Sequence, residues 1–276
     1  MPELPRLTQA RCALTRAVDI VDGSGERRRI EIPAERPLTV YVDRQEIVTL
    51  MTLGQWPEAL VLGWLLNQAL VDGMAAIASI SVDWDVQAAA VALRPGHALH
   101  QPTLARRTVT TGCGQGSVFG DWLAQVGEVR LPAVAVSVPV ATLVAAMETM
   151  RAHPGVYRRA GSVHASALFR GTELLQLVED VGRHNAIDTL TGWAALHGIG
   201  GGDLLLATTG RLTSEMVVKA ARMGVPVVVS RNGVTAMGLE LAERLGLTLL
   251  GRANGRRFLC YTGAGRLVFE PDTVTF

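Results

Sequence analysis

The sequence predicts an α/β protein in two parts, a smaller α+β N-terminal domain over residues 1–135 and an α/β domain with a mostly parallel sheet over residues 136–276. Three observations carry this. The length of 276 residues is about 1.8 times a typical single domain. Hydrophobic residues at 49% against charged residues at 18% supply a core and exclude a disordered chain. Beyond Gly161, short apolar runs alternate with helical patterns of roughly a dozen residues, the signature of βαβ units.

The elements follow in order. Residues 38–50 (LTVYVDRQEIVTL) are enriched in Val, Ile and Thr as strands are, with Asp43 and Arg44 marking a turn. Residues 56–71 fit one well-buried helix, with Pro57 tolerated in its first turn. Residues 76–93 read as one or two strands ending at Arg94-Pro95-Gly96. Residues 96–120 show no apolar period, and a long irregular stretch of this kind points to a functional loop or to disorder. A helix is expected from about residue 140 to 152, which places the domain boundary near 130–140. Strands are then expected at 163–169, 173–178, 203–208, 225–230, 247–251 and 257–262, and helices at 185–197, 213–223 and 235–245.

Charge and cysteine usage narrow the function. Lys+Arg 26 against Asp+Glu 25 gives a net charge of +1, which removes the electrostatic argument for nucleic-acid or membrane-surface partners. Lys219 is the one lysine, so nearly every basic group is a guanidinium fork able to grip phosphate or carboxylate. Three cysteines, an odd number far apart, with no signal pattern and no spanning segment, lead to the expectation of a soluble cytoplasmic protein without disulfides.

In open α/β sheets ligands sit beyond the carboxyl ends of the strands. Three loops predicted at such ends pair glycine with arginine at a helix start: residues 179–185 with Arg183, His184 and Asn185; Thr209-Gly210-Arg211; and Ser230-Arg231 followed by Asn232-Gly233. Free N–H groups and the helix dipole favour an anion there, and Thr213 is placed to cap the second helix. A phosphate or diphosphate ligand is expected. Cys113 lies between Gly112 and Gly114, with Arg106 and Arg107 upstream, a setting that favours an accessible thiolate; Cys12 and Cys260 read as packing residues. His164-Ala165-Ser166 has the spacing of a zinc deaminase's first motif, but Ser166 stands at the catalytic glutamate's place and no Cys-x-x-Cys follows, so neither a metal site nor deamination is expected.

Taken together, residues 179–188 (EDVGRHNAID), 209–216 (TGRLTSEM), 229–231 with Thr235 (VSR…T), 162–168 (SVHASAL) and 111–114 (TGCG) resemble the FdhD family, the formate dehydrogenase accessory sulfurtransferases or sulfur carriers. The resemblance spans about residues 40–270. It implies a cytidine-deaminase-like fold for the C-terminal domain and a cytoplasmic sulfurtransferase with Cys113 as the catalytic residue. That thiol would take sulfur from a cysteine desulfurase as a persulfide. The acceptor would be the molybdenum bis-guanine-dinucleotide cofactor, held as substrate and mimicked by GDP, before its insertion into formate dehydrogenase.

The family's cofactor-binding segment matches Arg252-Ala253-Asn254-Gly255-Arg256-Arg257, with Arg252 where the family usually has an aromatic residue, and Gly116 stands where many members carry a second cysteine. A homodimer suits the resemblance and the apolar stripes. Two other classes fit the residues less fully: a cofactor-binding chaperone in which Cys113 is incidental, and a nucleotide-modifying enzyme, for which no catalytic base or metal motif is discernible.

Overall fold

The protein is described here from a computed structural model covering residues 3–100, 107–109, 131 and 137–269. Its first elements are β1 (Arg6–Leu7), β2 (Thr15–Val21), β3 (Arg27–Pro33), β4 (Arg36–Val42), β5 (Gln45–Thr52), α1 (Pro57–Asn67), β6 (Ile77–Asp83), β7 (Ala88–Leu93) and β8 (Arg107–Val109). Next come β9 (Val138–Pro139), α2 (Val140–Ala152), α3 (Val156–Ala160), β10 (His164–Arg170), β11 (Glu173–Asp180) and α4 (Arg183–Leu196). The remainder is β12 (Leu204–Thr208), α5 (Ser214–Arg222), β13 (Val227–Ser230), α6 (Ala236–Leu245), β14 (Thr248–Asn254), β15 (Arg257–Thr262) and β16 (Leu267–Val268). Among the described residues no helix is long and apolar enough to cross a membrane.

The described residues form two compact units that interleave along the chain. The first takes the described residues up to 109 together with His153–His164 and Glu179–Leu196. The second takes Ala165–Val178 and the described residues of 131–152 and 197–269. Two segments that the sequence reading placed with residues 136–276 therefore cluster with the N-terminal elements.

In the first unit a six-stranded sheet has the order β1-β6-β7-β4-β5-β8. Helix α1 is apolar all round (PEALVLGWLLN), so it has no face to give to water, and Leu60, Val61, Leu62, Trp64 and Leu65 join Leu38, Val40, Leu50, Ile77 and Ile80 in one core. Its other side meets α4 at backbone distance. A Cβ on Gly63 would lie 1.7 Å from the Asp188 carbonyl oxygen, and one on Gly192 would lie 1.9 Å from that of Ala59. Two glycines thus let the helices touch main chain to main chain, and Asn67 Nδ2 locks the contact by donating to Asp188 Oδ1 at 2.7 Å and Thr191 Oγ1 at 3.0 Å.

The second unit's sheet has the order β11-β10-β12-β13-β14-β15. Strands β12 (LLLAT) and β13 (VVVS) are fully buried, as central parallel strands covered on both faces must be. Leu205, Ala207, Val227, Val229 and Leu250 pack with Leu143, Ala146, Met147 and Met150 of α2. The expectation of a mostly parallel sheet is corrected to a mixed one: β12–β13–β14 are parallel, but β10 runs antiparallel to β12 and β15 antiparallel to β14. The reason is connection length. Only Gly255 and Arg256 separate β14 from β15, and so short a link makes a hairpin, whereas a parallel crossover needs a helix.

The glycine contact generates a stability prediction. Gly192→Ala gains about 1 kcal/mol of helix propensity but drives a methyl into the Ala59 carbonyl, so α1 and α4 must separate at a net cost of about 2 kcal/mol or more. Gly200→Ala, where nothing lies within 4 Å of the new Cβ, should leave the denaturation midpoint nearly unchanged. Equal midpoints for the two variants would contradict the close approach.

Candidate functional site

The polar-rich segment 179–188 folds into a sealed knot within the first unit. Asp180 is 1% exposed, and each carboxylate oxygen accepts two bonds. Oδ2 receives Thr52 Oγ1 at 2.5 Å and Leu53 N at 3.1 Å, and Oδ1 receives Gly182 N and Asn185 Nδ2, both at 2.9 Å. Burial pushes the carboxyl up to about 6 against the pull of these four donors. Asn185 spends its second amide hydrogen on Met51 O at 2.7 Å. Next door, Glu179 caps the first turn of α3, accepting from Val156 N at 2.5 Å and Tyr157 N at 3.0 Å. A Cβ at Gly155 would meet that carboxylate, so a larger residue there would push Glu179 off its capping position. Arg183 and His184 open α4 and are each 8% exposed.

The loops of the second unit present their charge outward. At the end of β12, Thr208 Oγ1 bonds Ser166 Oγ at 2.9 Å, so the hydroxyl at the deaminase-like position is committed to the sheet interior. Thr209 Oγ1 accepts from Ala165 N, and Gly210 N donates to Thr208 Oγ1. The loop after β13 is stitched to this one by bonds from Arg231 N to Thr208 O, Leu212 N to Gly233 O and Ser230 Oγ to Gly210 O, the last 2.5 Å long. Arg252 adopts a left-handed backbone, φ +53°, and donates its N–H to Asn232 O at 2.9 Å. Arg211, Arg231 and Arg252 are exposed on these three connected corners. Among the described residues no carboxylate pairs with any of them.

The structure therefore groups Thr209, Gly210, Arg211, Ser230, Arg231 and Arg252 at one end of one sheet. Ala253 turns inward at 5% exposure, while Asn254, Gly255, Arg256 and Arg257 form the exposed tip of the β14–β15 hairpin. Arg183, His184 and Asn185 belong to the other unit. Cys113 and the rest of its loop, with Arg106 and Gly116, lie outside the described residues. Cys12 and Cys260 are half-buried, and burial pushes both thiols up, away from the reactive thiolate. One expectation is corrected: Thr213 occupies the capping place of α5, but its side chain makes no capping bond, and its buried Oγ1 has no partner among the described residues. Thr235 does cap α6, accepting from Gly238 N at 3.2 Å. Asn232, which the sequence shows only as a neighbour of Arg231 in its loop, turns out to hydrogen-bond both adjoining segments.

Fold and loops define a two-unit α/β protein with arginine forks at the carboxyl edge of a mixed sheet. The chain belongs to the FdhD/NarQ family, which matches residues 33–268. Its relatives include the sulfur carrier protein FdhD of Bacillus subtilis (strain 168), 31% identical over 88% of this chain and 93% of that protein. The protein of the same name from Wolinella succinogenes is 29% identical over 88% of this chain and 84% of its own length. A crystal structure from Desulfotalea psychrophila, described as a formate dehydrogenase accessory protein, shares the fold with a TM-score of 0.72, covering 92% of this chain and 98% of that one at 24% identity.

Asp180 makes the fold pH-dependent in a defined direction. Its carboxyl lies at about 6 when folded against 3.8 ordinarily, so between those values the native state holds the extra proton and stability falls as pH rises. The difference across the window amounts to about 3 kcal/mol, at 1.36 kcal/mol per pKa unit. Asp180→Asn puts a donor against donors and lowers stability at every pH, but it removes this slope. Denaturant midpoints from pH 4 to 8 check it, and parallel profiles for the two proteins would contradict it.

Proposed function

We propose that this chain is a sulfur carrier in the maturation of formate dehydrogenase, acting in the reducing cytoplasm. The observation that carries the reading is the cluster of three exposed arginines, unpaired with any carboxylate among the described residues, on the hydrogen-bonded strand ends and loops at a sheet's carboxyl edge. Family membership over most of the chain, and relatives named as sulfur carriers, support it. The substrate is the molybdenum bis-guanine-dinucleotide cofactor. Its diphosphates suit the planar forks of Arg211, Arg231 and Arg252, with Arg256 and Arg257 on the adjoining hairpin. The first turn of α5, which lacks a side-chain cap at Thr213, adds N–H groups of the right polarity.

Cys113 carries the sulfur. Its thiolate attacks the outer sulfur of the cysteine desulfurase's persulfide; that S–S bond breaks, the desulfurase leaves as thiolate, and a new S–S bond forms on Cys113. The exchange is redox-neutral. With Gly116 in place of a second thiol, no neighbour three residues on can resolve the persulfide; when the cofactor takes the outer sulfur as a neutral atom, the S–S bond breaks and Cys113 is left as thiolate. On this reading the second unit is a cytidine-deaminase-like fold given over to binding, with the buried Ser166–Thr208 pair where a deaminase needs its glutamate.

Incubation with a cysteine desulfurase and cysteine, followed by intact mass measurement, tests the carrier step. The wild type should gain about 32 Da, one sulfur on a thiol. Cys113→Ala should gain nothing, and Cys12→Ala and Cys260→Ala should load normally. An adduct that survives Cys113→Ala would overturn the assignment.

A further inference from the structure

Three arginines, two on the loops after β12 and β13 and one near the end of β14, grip one anion well only if these segments keep a fixed spacing, and a single residue ties all three segments together. Asn232 Nδ2 donates to Thr209 O at 2.7 Å, its N–H donates to Ser230 Oγ at 2.9 Å, and its carbonyl accepts Arg252 N–H at 2.9 Å. Ser230 Oγ passes the link on to Gly210 O at 2.5 Å. Asn232 lies beyond the end of β13 and is exposed, so its amide bond to Thr209 is no part of a sheet ladder and adds little to global stability. Its carbonyl meanwhile holds Arg252 in a left-handed conformation that residues other than glycine adopt at a cost.

We propose that Asn232 is the positioning residue of the anion site, clasping the Arg211-bearing loop to the Arg252 corner so that both guanidiniums meet a diphosphate at a set separation. The inference rests on the reading of these loops as a diphosphate site. Asparagine suits the place because its amide donates to the Thr209 carbonyl. Aspartate would offer that carbonyl an acceptor and set a negative charge among three arginines.

Calorimetric titration with GDP at one salt concentration tests it on the wild type, Asn232→Ala, Asn232→Asp, Arg211→Ala and the Asn232→Ala/Arg211→Ala pair, with a thermal midpoint for each. Asn232→Ala should bind GDP about tenfold more weakly, the scale of one lost hydrogen bond, with its midpoint held. The isosteric Asn232→Asp should bind more weakly still. In the Arg211→Ala background the Asn232 substitution should add little, because it acts through the loop whose guanidinium is already gone. Wild-type affinity in Asn232→Ala, or losses that simply multiply in the double variant, would overturn the positioning role while leaving the diphosphate site standing. A wild type that binds no GDP would remove the site and its clasp together.

Discussion

A carboxylate sealed from water needs donors for both oxygens, and Asp180 draws in four, two from its own turn and two from a stretch more than a hundred residues earlier. Much of the first unit follows from that requirement. Thr52 and Leu53 at the end of β5 are fixed against the turn at Gly182, and Asn185 continues the tie to Met51. Helix α4 then starts where it can lie on α1, and the Gly63–Gly192 approach and the Asn67–Asp188 bond complete the contact. The polar density of residues 179–188 is thus largely spent inside the protein. Glu179, Asp180, Asn185 and Asp188 all have internal hydrogen-bond partners, so the segment acts first as a joint between sheet and helix.

The second unit handles charge in the opposite way. Its strand ends and the turns beyond them contain arginine but no acid at residues 209–213, 230–235 or 252–257, and their cross-links run through main chain, Ser230, Thr208 and Asn232. Neutral groups hold the corners while the guanidiniums face solvent. Such a surface is complementary to a polyanion and indifferent to the chemistry at the polyanion's far end. The proposed carrier, holding a dinucleotide while a separate thiol delivers one atom, would need this division of labour.

What the sequence disclosed was what is locally encoded. The alternation after Gly161 placed every strand and helix from β10 to β15 within a few residues, and the apolar run at 56–71 located α1. The β2–β3 hairpin was illegible because its strands, TRAVDIV and RRRIEIP, carry charges on both faces. Strand direction was misjudged because short links at Gly171-Thr172 and Gly255-Arg256 decide it, and apolar pattern does not. The interleaving of units could not be read at all: Asp180 finds Thr52 across 128 residues, and no local pattern encodes that partner. Of the residues proposed to bind, the arginines are visible in the sequence as chemistry. Asn232 is legible there only as a loop residue, because the bonds it makes to Thr209, Ser230 and Arg252 follow from the fold and not from local pattern.

The central claim is that this chain passes sulfur through Cys113 to the cofactor of formate dehydrogenase. Formate dehydrogenase activity in a bacterial host whose own FdhD-type carrier has been deleted tests it most directly, with the wild-type chain and Cys113→Ala expressed to equal levels. The account predicts that the wild type restores activity and that Cys113→Ala, though folded and able to bind GDP, leaves the enzyme inactive. Restoration by Cys113→Ala to the wild-type level would contradict it and leave the chain a cofactor-binding protein alone.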